Sequence, residues 1–193
     1  MQRIILTVIF TSMFVAVQGQ NYEIPKWQIS MSYFGELLTH PGARIGIATP
    51  ISQNIKQKKD EAYVTKGWVV GGYFTYYHHV RNHRGLMLTS SIGRHRIGKK
   101  GLLLNINLEA GYMLSLLDGE VYEWNGTEME EASKGSSHIV AGLNGGIGWD
   151  FGKKTELPIS FLIQPHIYLQ APYNTFFTPR VATEFRLIYH LKK

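Results

Sequence analysis

Three histidines crowd the run YYHHVRNHRG, as His78, His79 and His83. Imidazole binds zinc well, but successive residues of an extended chain point to opposite faces, so His78 and His79 cannot share one ion without a bulge. A further well-placed ligand would still be needed. The spacing therefore predicts an interfacial and loop histidine cluster, with no metal site and no cofactor. Arg81 and Arg84 in the same run, with Arg180 further on, carry guanidinium groups of the kind that suit phosphates. Two serine and histidine pairs bear on nucleophilic chemistry. Ser91 and His95 share a face but stand about 13 Å apart along an extended strand, beyond direct hydrogen bonding. Ser136 and His138 are two residues apart, at the edge of a loop. Neither pair assembles a nucleophile, a base and an orienting acid, so catalysis is not expected.

The elements that must position these residues are visible in GLLLNINLEAGYMLSLL, Gly101 to Leu117. Leu102, Leu104, Ile106, Leu108, Ala110, Tyr112, Leu114 and Leu116 take every second position. Asn105, Asn107, Glu109, Gly111 and Ser115 stand between them. A period of two fits and a helical period does not. The strand is also long: globular strands run about 5 or 6 residues, whereas a tilted strand crossing a bilayer needs roughly 9 to 11.

The alternation recurs along the chain. Trp68, Val70, Gly72, Phe74 and Tyr76 form one apolar set, Leu86, Leu88 and Ile92 the next, and Ile139, Leu143, Ile147 and Trp149 another. Ile159, Phe161, Ile163, Ile167 and Leu169 come after these, then Val181, Phe185, Leu187, Tyr189 and Leu191. Trp27 to Tyr33 and Ala43 to Ile51 add two more, either side of a turn signal at Thr39-His40-Pro41-Gly42, making eight strands. The joins fall into two sets. One holds Gln57 to Asp60, Lys99 to Gly101 and Lys153 to Pro158. The other holds Thr39 to Gly42, Arg81 to Gly85, Leu117 to Ser136 and Ala171 to Pro179, including the two longest. Eleven of the twelve lysines, and the outward Trp27, Trp68, Trp149 and Tyr189, fall at the end of the first set, while the 117–136 loop carries six acids.

The remaining composition narrows the class. Residues 1–19 read as a secretory signal peptide, with Arg3, an apolar run from Ile4 to Val17 and small-enough residues before Gln20; residues 20–193 then form one domain. There is no cysteine, hence no disulfide scaffold. The formal charge of +6 sits in lysine pairs at turns rather than on one face, and with export this excludes nucleic acid as a partner.

In this alternation, even strand number and sorting by rim, the mature chain resembles the small eight-stranded outer-membrane β-barrels of Gram-negative bacteria, over essentially its whole length. The resemblance implies an all-β fold, one eight-stranded antiparallel up-and-down transmembrane β-barrel in the cell outer membrane. It also implies contact with outer-membrane lipid and lipopolysaccharide, and assembly by the barrel-insertion machinery. Such barrels usually end in an aromatic residue, whereas this chain ends Tyr189-His190-Leu191-Lys192-Lys193. The wider group includes lipid A deacylases, which use a histidine and a serine two residues apart on a lipid-facing surface. No His-x-Ser occurs here, and Ser136 and His138 stand in the reverse order with His138 on the inward parity.

Eight strands leave an interior that side chains fill. The inward set includes Arg44, His95, Glu109, His138, Asp150, His166, Glu184, Arg186 and His190, and a charge network of Arg44, Glu109, Glu184 and Arg186 is expected. Glu109 is expected to meet Arg186 across the lumen, with Glu184 the nearer alternative for that arginine. Arg81, Arg84 and Arg180 are the expected lipopolysaccharide contacts, and Tyr122 and Trp124 mark the 117–136 loop for an extracellular partner. The rival fold is a soluble ligand-binding barrel with the leucine face turned inward.

Overall fold

The computed structural model describes residues 26–36, 40–57, 63–80, 82–131, 133–153, 155, 157–173 and 176–191. The signal segment lies outside the described residues. The strands are β1 (Trp27–Glu36), β2 (His40–Gln57), β3 (Tyr63–His79), β4 (His83–Ile97), β5 (Leu102–Leu117), β6 (Tyr122–Trp124), β7 (Met129–Glu131), β8 (Gly135–Asp150), β9 (Ile159–Tyr173) and β10 (Phe176–Leu191). Eight of them close a ring in the order β1-β10-β9-β8-β5-β4-β3-β2, every pair antiparallel. The small hairpin β6–β7 stands inside the β5–β8 loop.

Which residues face in obeys the period of two. Along β5, Leu103, Asn105, Asn107 and Glu109 are buried, while Leu104, Ile106 and Leu108 are exposed at 37%, 59% and 61%. The same holds round the ring, with Met31, Leu88, Ile139 and Ile167 all more than 60% exposed. The interior holds the buried charges, with apolar clusters at Phe34, Tyr77 and Met113 and at Leu103, Leu162 and Ile188. An apolar exterior around buried charges is the inverse of a soluble ligand-binding barrel, and this overturns the rival fold. Trp27 and Trp68 stand on the outer face near the rim of the 58–62, 98–101 and 151–158 joins, with Trp149 and Tyr189 at the same level. Tyr33, Tyr76 and Tyr112 form a second outward aromatic set toward the opposite rim, which the sequence reading missed.

Three expected joins are shorter than the turn signals implied. Pro41 and Gly42 belong to β2, paired with Gly35 and Phe34, so the β1–β2 join is residues 37–39. Gly42 is there for space: a Cβ on it would lie 2.5 Å from the Tyr76 carbonyl oxygen and 2.7 Å from the Tyr77 Cβ. Gly85 likewise sits in β4, where a Cβ would run into the Tyr77 ring. Pro172 and Pro179 lie in β9 and β10 beside a register shift between Phe176 and Thr178, leaving 174–175 as the join. The expected contrast of short turns and long loops therefore rests on one loop, 118–134.

Ile106 faces out near the middle of β5 and Asn107 faces in. Ile106→Arg is expected to destabilise the membrane-inserted barrel by roughly 2–4 kcal/mol, as a cation at mid-bilayer does. Asn107→Ala should cost less. Denaturant unfolding in lipid vesicles measures both, and tolerance of arginine at 106 would contradict the assigned faces.

Candidate functional site

The lumen holds a cluster of four charged side chains from three strands, β2, β5 and β10. Glu184 and Arg186 are two apart on β10, so they share the inward face. Arg186 clasps the Glu184 carboxylate with Nε at 2.7 Å from Oε1 and Nη2 at 2.8 Å from Oε2. The same carboxylate accepts from Ser32 Oγ at 2.5 Å and lies 2.8 Å from His166 Nε2. Three strands further round the ring from Arg44 on β2, Glu109 of β5 receives Arg44 Nη2 at 2.6 Å. Thr89 and Asn144 donate to its two oxygens at 2.5 and 2.9 Å. Arg44 Nε also stands 3.9 Å from Glu184 Oε2, joining the two halves. The Tyr73 ring carries Arg44 and Arg186 at 4.3 and 4.8 Å from its centroid.

The expected Glu109–Arg186 pairing is therefore replaced by Arg44–Glu109 and Glu184–Arg186. For Arg186, Glu184 two residues away on the same face, at 2.7 Å, is nearer than the Tyr73 hydroxyl across the lumen at 3.4 Å. Two carboxylates and two guanidinium groups balance, and each is at most 9% exposed. The sequence reading missed the neutral partners, Ser32, Tyr73, Thr89 and Asn144, although their inward parity was available. A cavity of about 20 Å³ remains between Arg44, Glu109, Thr89 and His166, room for one water.

Two further polar clusters stand above and below. Toward the loop rim, Arg180 binds Glu36 at 3.0 Å. Arg180 thus turns into the lumen, which corrects the expectation of a lipopolysaccharide contact there. Toward the lysine-rich rim, Ser160 joins Asp150 at 3.1 Å and His190 at 2.7 Å. His95 Nε2 lies 3.3 Å from Asn107 Oδ1.

At the loop rim, His78 and Arg84 meet Asp118 at 3.1 and 3.0 Å. The hydrogen bond with His78, helped by Arg84, holds the Asp118 carboxyl below the usual carboxylate range. His79 stacks on His40 at 3.6 Å and meets His83 edge-on at 5.4 Å. Among the described residues, no group of three or more histidine, cysteine or acidic residues could hold a metal ion. Arg81 lies outside the described residues. Tyr122 and Trp124 are exposed on β6, 53% and 61%, with the Tyr122 hydroxyl donating to Glu120 at 2.6 Å.

Ser136 and His138 do touch: Ser136 Oγ is 3.0 Å from Nε2, and Nδ1 is 2.6 Å from the Pro172 carbonyl oxygen. A carbonyl can only accept, so Nδ1 carries the proton and Nε2 is left to accept from serine. That is the tautomer of a general base, but with a backbone oxygen in place of an orienting carboxylate.

No family model matches the chain, and no curated protein matches it in sequence. Solved structures that it resembles include the N-terminal β-barrel domain of Pseudomonas aeruginosa OprF, at 13% identity and TM-score 0.44, covering 90% of this chain and 100% of that one. Neisserial surface protein A aligns at 9% identity and TM-score 0.46, over 86% of this chain and 94% of that one. The outer membrane enzyme PagL aligns at 13% identity and TM-score 0.43, over 86% and 99%. At such identities and scores, the function of this barrel has to be argued from its own side chains.

Arg186→Gln should destabilise the folded barrel by roughly 3–5 kcal/mol, because it strands a buried carboxylate, while replacing Glu184 and Arg186 together by apolar residues should cost less. A double-mutant cycle on the barrel in detergent should give coupling for Arg44 with Glu109 and for Glu184 with Arg186. Glu109 with Arg186, which share no direct contact, should give a smaller coupling than either of these pairs.

Proposed function

We propose that the chain is an integral protein of the bacterial outer membrane, with a structural or surface-interaction role and a lumen filled by side chains. The observation that carries this reading is the continuous outward band of apolar residues, bounded by Trp27 and Trp68 on one side and Tyr33, Tyr76 and Tyr112 on the other, around a polar interior. Strands can cross hydrocarbon only in a closed ring, and aromatic belts mark both interfaces. The filled Arg44–Glu109–Glu184–Arg186 layer argues against a conducting pore. On this reading an amino-terminal signal exports the chain, and the barrel-insertion machinery assembles it.

The loop rim then faces outward. Its acidic β6–β7 hairpin, with Tyr122, Trp124 and Met129 exposed, is the surface for an extracellular partner. Arg84, which also pairs with Asp118, and Arg81 three residues before it in sequence are the guanidinium groups for lipopolysaccharide phosphates on this reading.

A second reading, a lipid A deacylase-like enzyme, has one observation in its favour, the Ser136–His138–Pro172 arrangement. One experiment separates the two. Full-length protein reconstituted with lipopolysaccharide in vesicles should stay in the membrane after carbonate washing, give no steady conductance in a planar bilayer, and leave the lipid A mass unchanged. Loss or gain of an acyl chain, abolished by Ser136→Ala, would establish the enzyme. Release by carbonate would end the membrane reading.

A further inference from the structure

On the outer face near the lysine-rich rim, β3 and β4 bring three cations together. Lys66 lies directly opposite Arg96, and Trp68 directly opposite Arg94. All three basic side chains are exposed, and the Arg94 guanidinium stands 5.8 Å from the Trp68 ring centroid. Like charges facing each other across a ladder repel. Yet among the described residues no acid forms an ion pair with Lys66, Arg94 or Arg96. The four charges of the Arg44, Glu109, Glu184 and Arg186 layer are matched one for one, so a surface trio that no acid among the described residues meets calls for an anion from outside.

Deeper in the apolar band the surface becomes concave. Gly72, Ser90, Ala110 and Ala141 are successive ladder partners across β3, β4, β5 and β8. They help to line a groove of about 610 Å³, with Ile92 and Leu108 among its walls. A Cβ built on Gly72 meets nothing within 4 Å, so the glycine leaves open space rather than making room for a neighbour. From Arg94 to Ser90 is about 13 Å along the strand. Cations at the tryptophan level, with an apolar furrow inward of them, match the depth order of a phospholipid, headgroup at the interface and chain in the hydrocarbon.

We propose that this surface binds one anionic diacyl phospholipid of the leaflet at this rim. Lys66, Arg94 and Arg96 hold its phosphodiester, and one acyl chain lies in the groove at Gly72 and Ser90. The site rests on the membrane-spanning reading of the barrel, and charge complementarity selects an anionic over a zwitterionic headgroup.

The test is native mass spectrometry of the full chain refolded in detergent, offered equimolar phosphatidylglycerol and phosphatidylcholine with identical acyl chains. Wild type should retain one phosphatidylglycerol with about a tenfold preference, a large and readily measured difference in affinity. Arg94→Gln with Arg96→Gln should abolish the preference. Gly72→Leu, which fills the groove, should weaken retention of both lipids while keeping their ratio. Heat-modifiable gel migration checks that each variant is folded, and the wild-type ratio needs no variant at all. Equal retention of the two lipids by wild type would overturn the site, as would a preference that survives the arginine changes. Stronger retention of lipid A, or displacement of the lipid by millimolar inorganic phosphate, would also overturn it. Wild type that inserts into phosphatidylcholine vesicles without an anionic preference refutes this site alone, whereas failure to insert into any bilayer refutes the membrane reading beneath it.

Discussion

A backbone amide without a partner in hydrocarbon costs several kcal/mol, and an open sheet would present a whole row of them on each outer strand. Here the row is used up by pairing β1 with β10, from Trp27 opposite Leu191 to Glu36 opposite Ala182. Everything else about the chain is arranged around that closure. With eight strands in the ring, closure leaves a narrow lumen that side chains fill. The narrow lumen explains why glycine recurs on the inward face: Cβ atoms at Gly46 and Gly93 would run into Tyr73 and Asn107.

A narrow lumen also dictates what its charges do. Buried ions are tolerated when each is paired and its remaining hydrogen-bond capacity is met. Glu184 meets that demand with Ser32, His166 and Arg186, and Glu109 with Arg44, Thr89 and Asn144. The partners come from β1, β2, β4, β8, β9 and β10, so the network ties strands that share no ladder. It ties the ring across the lumen, in addition to the backbone closure around it. Such an interior leaves the acidic hairpin at one rim and the outward apolar band with its cationic patch as the surfaces on which the proposals above rest.

Much of this was legible in sequence because a period of two is a face assignment. Once Leu104, Ile106 and Leu108 point to lipid, Glu109 must point to the lumen, and the inward charges are found by counting. Partner choice was not legible, since it depends on which strands lie across from each other and on stagger. Arg44 reaches Glu109 and leaves Arg186 to its own strand neighbour. The joins were misread for a different reason. Pro41, Gly42, Gly85, Pro172 and Pro179 look like turn residues, yet the glycines relieve crowding against Tyr77 and the prolines sit near strand ends at one rim, where few ladder donors are lost. Arg180 was assigned to lipid on its position near a rim, but its parity already turned it toward Glu36.

Closure is tested most directly by amide hydrogen exchange of the full chain in lipid vesicles, read along β1 and β10. With the ring shut, residues 28–35 and 183–189 should exchange as slowly as the centre of β5, because each finds its ladder partner on both sides. Fast exchange along the facing edges of β1 and β10, with β5 protected, would mean an open sheet and would contradict the barrel.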